Sequence, residues 1–184
     1  MKALDALHSR TSAPRLTEPL PDSLVLENIY KAAFRAADHA LLRPWRFLII
    51  EGESRDRLGD LLVKAAREKD GELSEEQEQK LRRNPHRAPL IVVCISSYKE
   101  HPKVPQLEQD LSAGAATQNM LNAAHAQGVG AMWRTGSMAY NQTIMDGLGL
   151  TEQEKIIGFL YLGTINGNSK KVSLPEIDDF FQTW

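Results

Sequence analysis

The sequence predicts a helix–sheet sandwich, in which helices alternate with strands that are covered on both faces. Residues 89–96 and 156–163 are continuously apolar, which is typical of strands buried on both sides. Stretches with apolar residues at helical spacing separate them. Hydrophobic residues make up 42% and charged residues 25% of the 184-residue chain, so we expect one globular domain over residues 1–184. Periodicity leaves the order and direction of the strands open.

Two helices are predicted at the start of the chain. The first covers residues 2–9. The second begins after Pro21, with Asp22 or Ser23 as its N-cap, because these side chains accept hydrogen bonds from the first free backbone N–H groups. The apolar stripe of this second helix consists of Ile29, Ala32, Ala33, Ala36 and Ala37.

A strand over residues 45–51 follows, rich in residues that favour strands and closed by Gly52. A polar helical region runs from about residue 54 to residue 83, where the many charges indicate a solvated face. The apolar strand over residues 89–96 contains Cys94. We interpret this cysteine as a small buried hydrophobic residue rather than a reactive thiol.

A long helix is predicted over about residues 106–127, ending at Gly128. Its second half is rich in small residues on several faces, which indicates either the core of the domain or a subunit interface. A strand over residues 129–135, a short helix over 141–148 and the strand over 156–163 come next. The tail holds five large apolar residues and is expected to pack on something, a partner subunit being one option. These are Leu174, Ile177, Phe180, Phe181 and Trp184.

Charge and motifs exclude several classes of function. The net charge of −2, from 22 basic and 24 acidic residues, gives no electrostatic footprint for nucleic acid or for an acidic membrane surface. No apolar stretch has the length of a signal peptide core or a membrane span, so a cytoplasmic protein is expected. The five histidines lack metal-ligand spacing and one cysteine cannot build a zinc site. Phosphate-loop, dinucleotide-fingerprint, zinc-protease and serine-hydrolase motifs are absent.

Three short segments remain as candidates for chemistry, and each also has a structural interpretation. In the first, residues 9–15, the guanidinium of Arg10 and the hydroxyls of Thr11 and Ser12 could hold a phosphate through charge-assisted hydrogen bonds. A polar connector with surface arginines is the simpler interpretation of this segment alone.

The second segment places Arg35 and His39 at a helix end just before the strand that follows Pro44. It is either a ligand-binding loop or a helix C-terminus at which basic residues favour the dipole. In the third segment, residues 128–136, glycines let a flat ligand approach the backbone beside Trp133, Arg134 and Thr135. A helix cap followed by a sheet strand, with Trp133 in the core, explains the same residues.

Taken in this order, the segments resemble those of the nitroreductase family, particularly its small bacterial members. The resemblance spans essentially the whole chain, and no single motif in it is specific. The shared blocks are Arg10-Thr11-Ser12, Arg35-Ala36-Ala37, Arg43-Pro44-Trp45, Gln118-Asn119, Gly128-Val129-Gly130, Trp133-Arg134, Gly136 and Phe159-Leu160-Tyr161-Leu162-Gly163.

The resemblance implies an α+β sandwich that forms a homodimer through its long central helix, with FMN at the dimer interface. It implies an NAD(P)H-consuming oxidoreductase that reduces a small-molecule electron acceptor, such as a nitroaromatic compound or a quinone. No protein acid or base is obligatory in such chemistry, so no catalytic residue is assigned. The implied cofactor contacts are Arg10, Thr11, Ser12, Trp133, Arg134 and Thr135 from one subunit, and Arg35 and His39 from its partner.

The chain departs from the family pattern at three positions. Ala37 stands where the pattern has proline, Arg43 where it has glutamine before Pro-Trp, and Thr11 where a second arginine is frequent. These changes alter the wall of the implied pocket and weaken the positive charge of the phosphate segment. The pair Lys170-Lys171 lies near a phosphate-binding position of larger relatives, although exposed tail lysines are the simpler interpretation.

Two rival functions fit parts of the same sequence. A non-catalytic flavin-binding or flavin-trafficking dimer would hold FMN without NAD(P)H-driven turnover. A helical dimerisation module would use the three segments as loops and caps and would bind no flavin.

Overall fold

The computed structural model describes residues 1–168 and 173–184, and the pair Lys170-Lys171 lies outside them. The six α-helices of the described part are Ala3–Ser9 (α1), Ser23–Ala33 (α2), Ser54–Asp70 (α3), Glu75–Arg83 (α4), Gln106–Ala126 (α5) and Gln142–Gly147 (α6). The five strands are Leu16–Thr17 (β1), Trp45–Glu51 (β2), Leu90–Ser97 (β3), Gly130–Arg134 (β4) and Glu154–Ile165 (β5).

All strand pairs in the sheet are antiparallel. The long strand β5 lies in the middle, paired on one side with β3, which in turn pairs with β2. On its other side β5 pairs first with β4, from Phe159 to Gly163, and then with the two residues of β1. Two short strands therefore continue the sheet beyond β5. Strand β4 contains most of the third candidate segment and lies at this edge of the sheet.

Side chains alternate between the two faces of the sheet, and each face has its own core. Ile91, Val93 and Ile95 of β3 pack with α3 and α6. Leu90 and Val92 point the other way and pack with α2 and α5. The helices thus form a layer on each side of an antiparallel sheet, which confirms the predicted helix–sheet sandwich and its α+β class.

The prediction for the second helix was wrong at its C-terminal end. Asp22 caps α2 as expected, because its Oδ1 accepts the Val25 N–H at 2.9 Å. The helix ends at Ala33, however, and the next N–H groups bond only three residues back, which tightens the chain into a turn. Ala36 and Ala37 therefore lie beyond the helix, although Ala36 still packs against the same core as Ile29 and Ala33.

Strand β1 was not predicted, because its two residues are too few for a periodic pattern. The expectation that the C-terminal tail packs on something is not met within the chain. Each of its five large apolar side chains is at least 66% exposed. The tail is thus available to pack on another molecule, and a partner subunit is the option named from the sequence.

Helix α5 is buried along one side only. Its residues Ala113, Ala116 and Met120 are buried on the inner side, whereas its residues Leu107 and Leu111 are 68% and 65% exposed. The helix is therefore a core element on one face and leaves an apolar face uncovered on the other.

Within the described ranges 1–168 and 173–184, no helix combines the length and apolar character that crossing a bilayer requires.

Candidate functional site

The first and third candidate segments lie side by side at the rim of the sheet. The Ala13 N–H donates to the carbonyl oxygen of Ala131 in β4, at 2.9 Å. The Arg134 guanidinium donates through Nη2 to the carbonyl oxygen of Pro14, at 3.2 Å. The chain leaving α1 therefore runs along the outer edge of β4 before it enters β1, and residues far apart in sequence form one surface.

The Arg10 end of this surface is positively charged. Arg10, Thr11 and Ser12 are all half-buried, and Arg10 Nη1 lies 3.5 Å from Ser12 Oγ. In the described part of the chain, no carboxylate lies within 4 Å of the Arg10 guanidinium. Thr11 and Ser12 also line a cavity of about 290 Å³. The guanidinium and hydroxyl groups are thus free to bind an anionic group.

His125, near the end of α5, anchors this segment. Its Nε2 lies 3.0 Å from Ser9 Oγ, and Ser9 Oγ donates its own proton to the Asp5 carbonyl oxygen. The Ser9 oxygen can therefore only accept from the histidine, so Nε2 carries a proton. Burial lowers the pKa of His125, and the positive charge of Arg10 lowers it further.

At the other end of the surface, Arg134 and Arg87 lie near Tyr161. The Arg134 guanidinium lies over the Tyr161 ring, with its central carbon 5.3 Å from the ring centroid. Burial lowers the pKa of Arg134, and the nearby charge of Arg87 lowers it further. Burial raises the pKa of Tyr161 against the opposing effect of both arginines, so its hydroxyl keeps its proton at neutral pH.

Arg134 is also short of hydrogen-bond partners. Its Nε is buried and has no partner among the described residues. A buried, unsatisfied donor is costly, so a ligand acceptor at this point would stabilise the site. Arg134 borders a cavity of about 450 Å³ with largely apolar walls, and its described lining residues include no carboxylate. Its lining is Leu58, Leu62, Asn84, Arg87, Met132, Trp133, Arg134, Thr135, Gly136, Met138, Phe159 and Tyr161.

Trp133 and Thr135 take different positions around Arg134. Trp133 points to the opposite face of the sheet, where it packs against the α5 core, and its Nε1 donates to the Ile157 carbonyl oxygen at 3.3 Å. The tryptophan is thus a core residue that also borders the cavity. Thr135 follows the end of β4 and is exposed.

The second candidate segment lies elsewhere in the chain. Arg35 lines a separate cavity of about 520 Å³ between the end of α2 and the start of β2. His39 is held by a bond between its Nδ1 and Glu108 Oε2, at 2.6 Å, near the start of α5. Carboxylates only accept, so the histidine nitrogen is the donor.

Helix α5 separates the two groups of predicted site residues. Ser9 and Arg10 lie near His125 at its C-terminal end, whereas His39 contacts Glu108 at its N-terminal end. At 1.5 Å per residue these two ends are about 25 Å apart. One chain therefore brings together Arg10, Thr11, Ser12 and Arg134, but it does not bring Arg35 and His39 to them.

Sequence reasoning missed Arg87, Tyr161 and His125. Arg87 had a usable signal, because it stands in the connection just before an apolar strand, where functional loops are common. Tyr161 was a hydroxyl-bearing residue in an otherwise apolar strand. Nothing in the sequence around His125 indicated its contact with Ser9.

Comparisons with known proteins show the family of this chain. The family model described as "Nitroreductase family" matches residues 10–164. The chain is 43% identical to YdjA of Escherichia coli strain K12, a protein assigned by name to the NAD(P)H nitroreductases, and the alignment covers 98% of each protein.

Solved structures of the same fold include a nitroreductase-like family protein from Bacillus cereus. It is 23% identical, has a TM-score of 0.83, and the match covers 100% of this chain and 96% of that one. A Desulfovibrio desulfuricans protein solved in complex with FMN is also 23% identical, with a TM-score of 0.76 and coverage of 100% and 97%. The family match and the full-length relative identify this chain as a member of the nitroreductase family of oxidoreductases.

Proposed function

We propose that the chain is one FMN-binding domain and acts, as a homodimer, as an NAD(P)H-consuming reductase of a small electron acceptor. The observation that carries the proposal is the cation-rich rim of the sheet. Arg10, Arg134 and Arg87 lie along it. Among the residues that the structure describes, no carboxylate lies within 4 Å of their guanidinium groups, and the buried Nε of Arg134 has no partner. A ligand with a phosphate and several hydrogen-bond acceptors fits these groups, and FMN has both.

Arg10 and Ser12 would hold the phosphate end of FMN. Guanidinium and hydroxyl donors bind phosphate through charge-assisted hydrogen bonds. The anchor between Ser9 and His125 fixes the backbone next to Arg10, so the donors are positioned before the ligand arrives. Arg15 is exposed at the far end of the same segment and could add charge in place of the arginine that Thr11 replaces.

Arg134, Arg87 and Tyr161 would line the ring end of the site. Their cavity has the size of a small-molecule pocket and combines apolar walls with a few polar groups. Bound FMN would supply hydride transfer from a nicotinamide and onward transfer of electrons to the acceptor. The two arginines would favour negative charge on a ring bound there, because they lie in a partly buried, low-dielectric setting.

The dimer follows from the separation of the predicted contacts. His39 and Ser9 contact opposite ends of α5, about 25 Å apart, so His39 and the nearby Arg35 can join Arg10 in one site only if different protomers supply them. A two-fold arrangement with α5 helices side by side brings the start of one helix to the end of the other. The exposed side chains of Leu107 and Leu111 give such an interface an apolar face.

Two proteins similar to this chain support the cofactor and the reductant. YdjA is assigned by name to the NAD(P)H nitroreductases, and the Desulfovibrio desulfuricans structure contains FMN. In our proposal, the acceptor of this chain is a small, planar oxidant such as a nitroaromatic compound or a quinone. A flavin-binding or flavin-trafficking dimer is the competing function, and anaerobic reduction with NADH or NADPH separates it from the enzyme.

Titration with FMN, followed by flavin fluorescence, tests the cofactor assignment. We expect Arg10→Ala to weaken FMN binding about tenfold or more, because a charge-assisted contact to the phosphate is lost. Arg57→Gln is the matched control, since it removes one exposed positive charge from α3 and should leave the affinity unchanged. Equal affinity of the Arg10→Ala variant and the parent protein would show that the phosphate is bound elsewhere.

Anaerobic addition of NADH or NADPH to the FMN-loaded protein tests the activity. Loss of the flavin absorbance at about one nucleotide per FMN, and its return when a nitroaromatic acceptor is added, is the result expected of the enzyme. A flavin spectrum that persists with both nucleotides would support the flavin-binding or flavin-trafficking dimer instead.

A further inference from the structure

We propose that the cavity between α2 and β2 binds the negatively charged group of a planar aromatic electron acceptor, and that Arg43 selects for that charge. This inference rests on the proposed reductase function and deepens it by naming the class of acceptor. The cavity has a volume of about 520 Å³, within the range of small-molecule sites.

The walls of this cavity are apolar and partly aromatic. Phe34 and Leu41 are 61% and 78% exposed, and Trp45 is half-buried beside them. Large apolar side chains that face solvent mark ligand sites or interfaces. A flat ring fits between such walls, because aromatic side chains provide stacking surfaces.

The charge of the cavity is positive. Arg35 and Arg43 both line it, and in the described residues neither has a carboxylate within 4 Å of its guanidinium. Among the described lining residues, Asp38 is the one acidic residue, and its Oδ2 accepts the backbone N–H of Arg43 at 2.7 Å. The Asp38 carboxylate holds the loop at this point, which leaves the Arg43 guanidinium available to a ligand.

The backbone of the loop is held in an unusual conformation. Ala40, Leu41 and Arg43 have φ values of +60°, +54° and +48°, which are uncommon for residues other than glycine. Such residues cost free energy and persist where the surroundings determine them.

Two further hydrogen bonds fix the same loop. Ser112 Oγ donates to the Ala37 carbonyl oxygen at 2.7 Å, and His39 Nδ1 donates to Glu108 Oε2. Both partners belong to α5, so the loop is tied to the rigid central helix. A loop held in this way presents its free side chains in a fixed position, which lowers the entropic cost of binding.

Arg35 connects this cavity to the proposed flavin site. It lines the same cavity as Arg43, and it is the residue expected to reach FMN bound to the partner subunit. The cavity therefore borders the flavin of the other protomer, where an acceptor must lie to receive electrons. Arg43 stands where the family pattern has glutamine, so its charge is a feature of this chain.

A matched pair of acceptors tests the proposal. 4-Nitrobenzoate and methyl 4-nitrobenzoate share the ring and the nitro group but differ in charge. We expect the parent enzyme to favour the carboxylate in kcat/KM, and Arg43→Gln to lower the ratio of carboxylate to ester about tenfold, the loss of one charge-assisted contact. Arg43→Lys keeps the charge and should keep the parent's preference.

Arg57→Gln controls for the change in net charge and should leave the ratio as in the parent. FMN content is measured first for every variant, which identifies any variant that fails to fold or to load cofactor. An unchanged ratio in FMN-loaded Arg43→Gln, or an equal loss with both acceptors, would overturn the proposal.

The phosphates of the nicotinamide nucleotide are a second source of the same negative charge. Stopped-flow measurement of flavin reduction by NADH and NADPH separates them from the acceptor. The proposal requires that Arg43→Gln slow re-oxidation by 4-nitrobenzoate and leave reduction by either nucleotide unaffected. A defect confined to reduction would assign Arg43 to the nucleotide and overturn the acceptor assignment.

Calorimetric titration with 4-nitrobenzoate distinguishes failure of this proposal from failure of the reductase function. Binding that Arg43→Gln weakens, in a protein that NAD(P)H does not reduce, would refute the reductase but retain the anion site. Reductase activity without binding that depends on Arg43 would refute the anion site alone.

Discussion

Arg134 has five N–H donors at the rim of the sheet and few partners for them. One donor reaches the Pro14 carbonyl oxygen, and the buried Nε reaches no acceptor in the described residues. The sequence alone could nominate Arg134 because it stands next to Trp133 in a segment with glycines at positions 128, 130 and 136. It could not show that Arg87 and Tyr161 would meet it, because those contacts depend on how β4, β5 and the turn before β3 come together.

Glu154 forms a two-bond ion pair with Arg46, which provides a test at the scale of one residue. Arg46 donates through Nε and Nη2 to the two Glu154 carboxylate oxygens, at 2.8 and 2.7 Å. These bonds lower the pKa of Glu154 from 4.5 to about 2. The carboxylate therefore stabilises the fold at neutral pH, and this contribution is lost as the pH falls from about 4.5 to about 2.

We expect Glu154→Gln to lower the free energy of unfolding by about 1–2 kcal/mol at pH 7. Urea denaturation of both proteins between pH 7 and pH 2.5 measures the difference, which should shrink on acidification because the parent loses the ion pair as well. A difference that stays constant down to pH 2.5 would mean that the charge of Glu154 is not what stabilises the fold.

At the scale of elements, an irregularity in β5 makes room for Trp133. The register between β3 and β5 shifts after Cys94, so that Ile157 has no partner in β3. Its carbonyl oxygen accepts the Trp133 Nε1–H instead. Gly158 comes next, and a Cβ there would lie 2.0 Å from Trp133 Nε1. Bulges of this kind are common next to functional sites.

Gly158→Ala should therefore displace the indole of Trp133. We expect a loss of about 1–3 kcal/mol in the free energy of unfolding, because the extra methyl group overpacks the space beside β4. The change should also alter the tryptophan emission spectrum. Chemical denaturation with fluorescence detection measures both effects. Parent-like stability together with an unchanged spectrum would show that the indole does not occupy this position.

The elements themselves were largely readable from the sequence. Continuous apolar runs predicted β3 and most of β5, and Gly128 marked the end of α5, where its φ of +76° suits glycine. The bulge at Ile157 was not readable, because it depends on the side chain of a neighbouring strand. The predicted stripe of α2 continued past Ala33 because the alanines that follow keep helical spacing, although the backbone has already turned.

At the scale of the whole molecule, the homodimer that we propose accounts for both the uncovered apolar surface and the divided site. Leu107 and Leu111 on α5 are exposed, as are the large apolar residues of the tail. The predicted FMN contacts lie at opposite ends of α5. Sequence order could not reveal this separation, because it arises from the antiparallel packing of α2 on α5, seen in the bond from Asn28 to Gln127. In our proposal, a second copy of the chain covers the apolar face and completes the site.

Mixed dimers of Arg10→Ala and Arg35→Ala chains test this central claim most directly. If each FMN site takes Arg10 from one protomer and Arg35 from the other, a mixed dimer contains one site with both substitutions and one site with neither. Differently tagged chains allow the mixed dimer to be purified, and FMN titration then counts its tight sites. We expect two per parent dimer, none in either homodimeric variant, and one in the mixed dimer. A mixed dimer without a tight site would show that each site lies within one chain and would contradict the account.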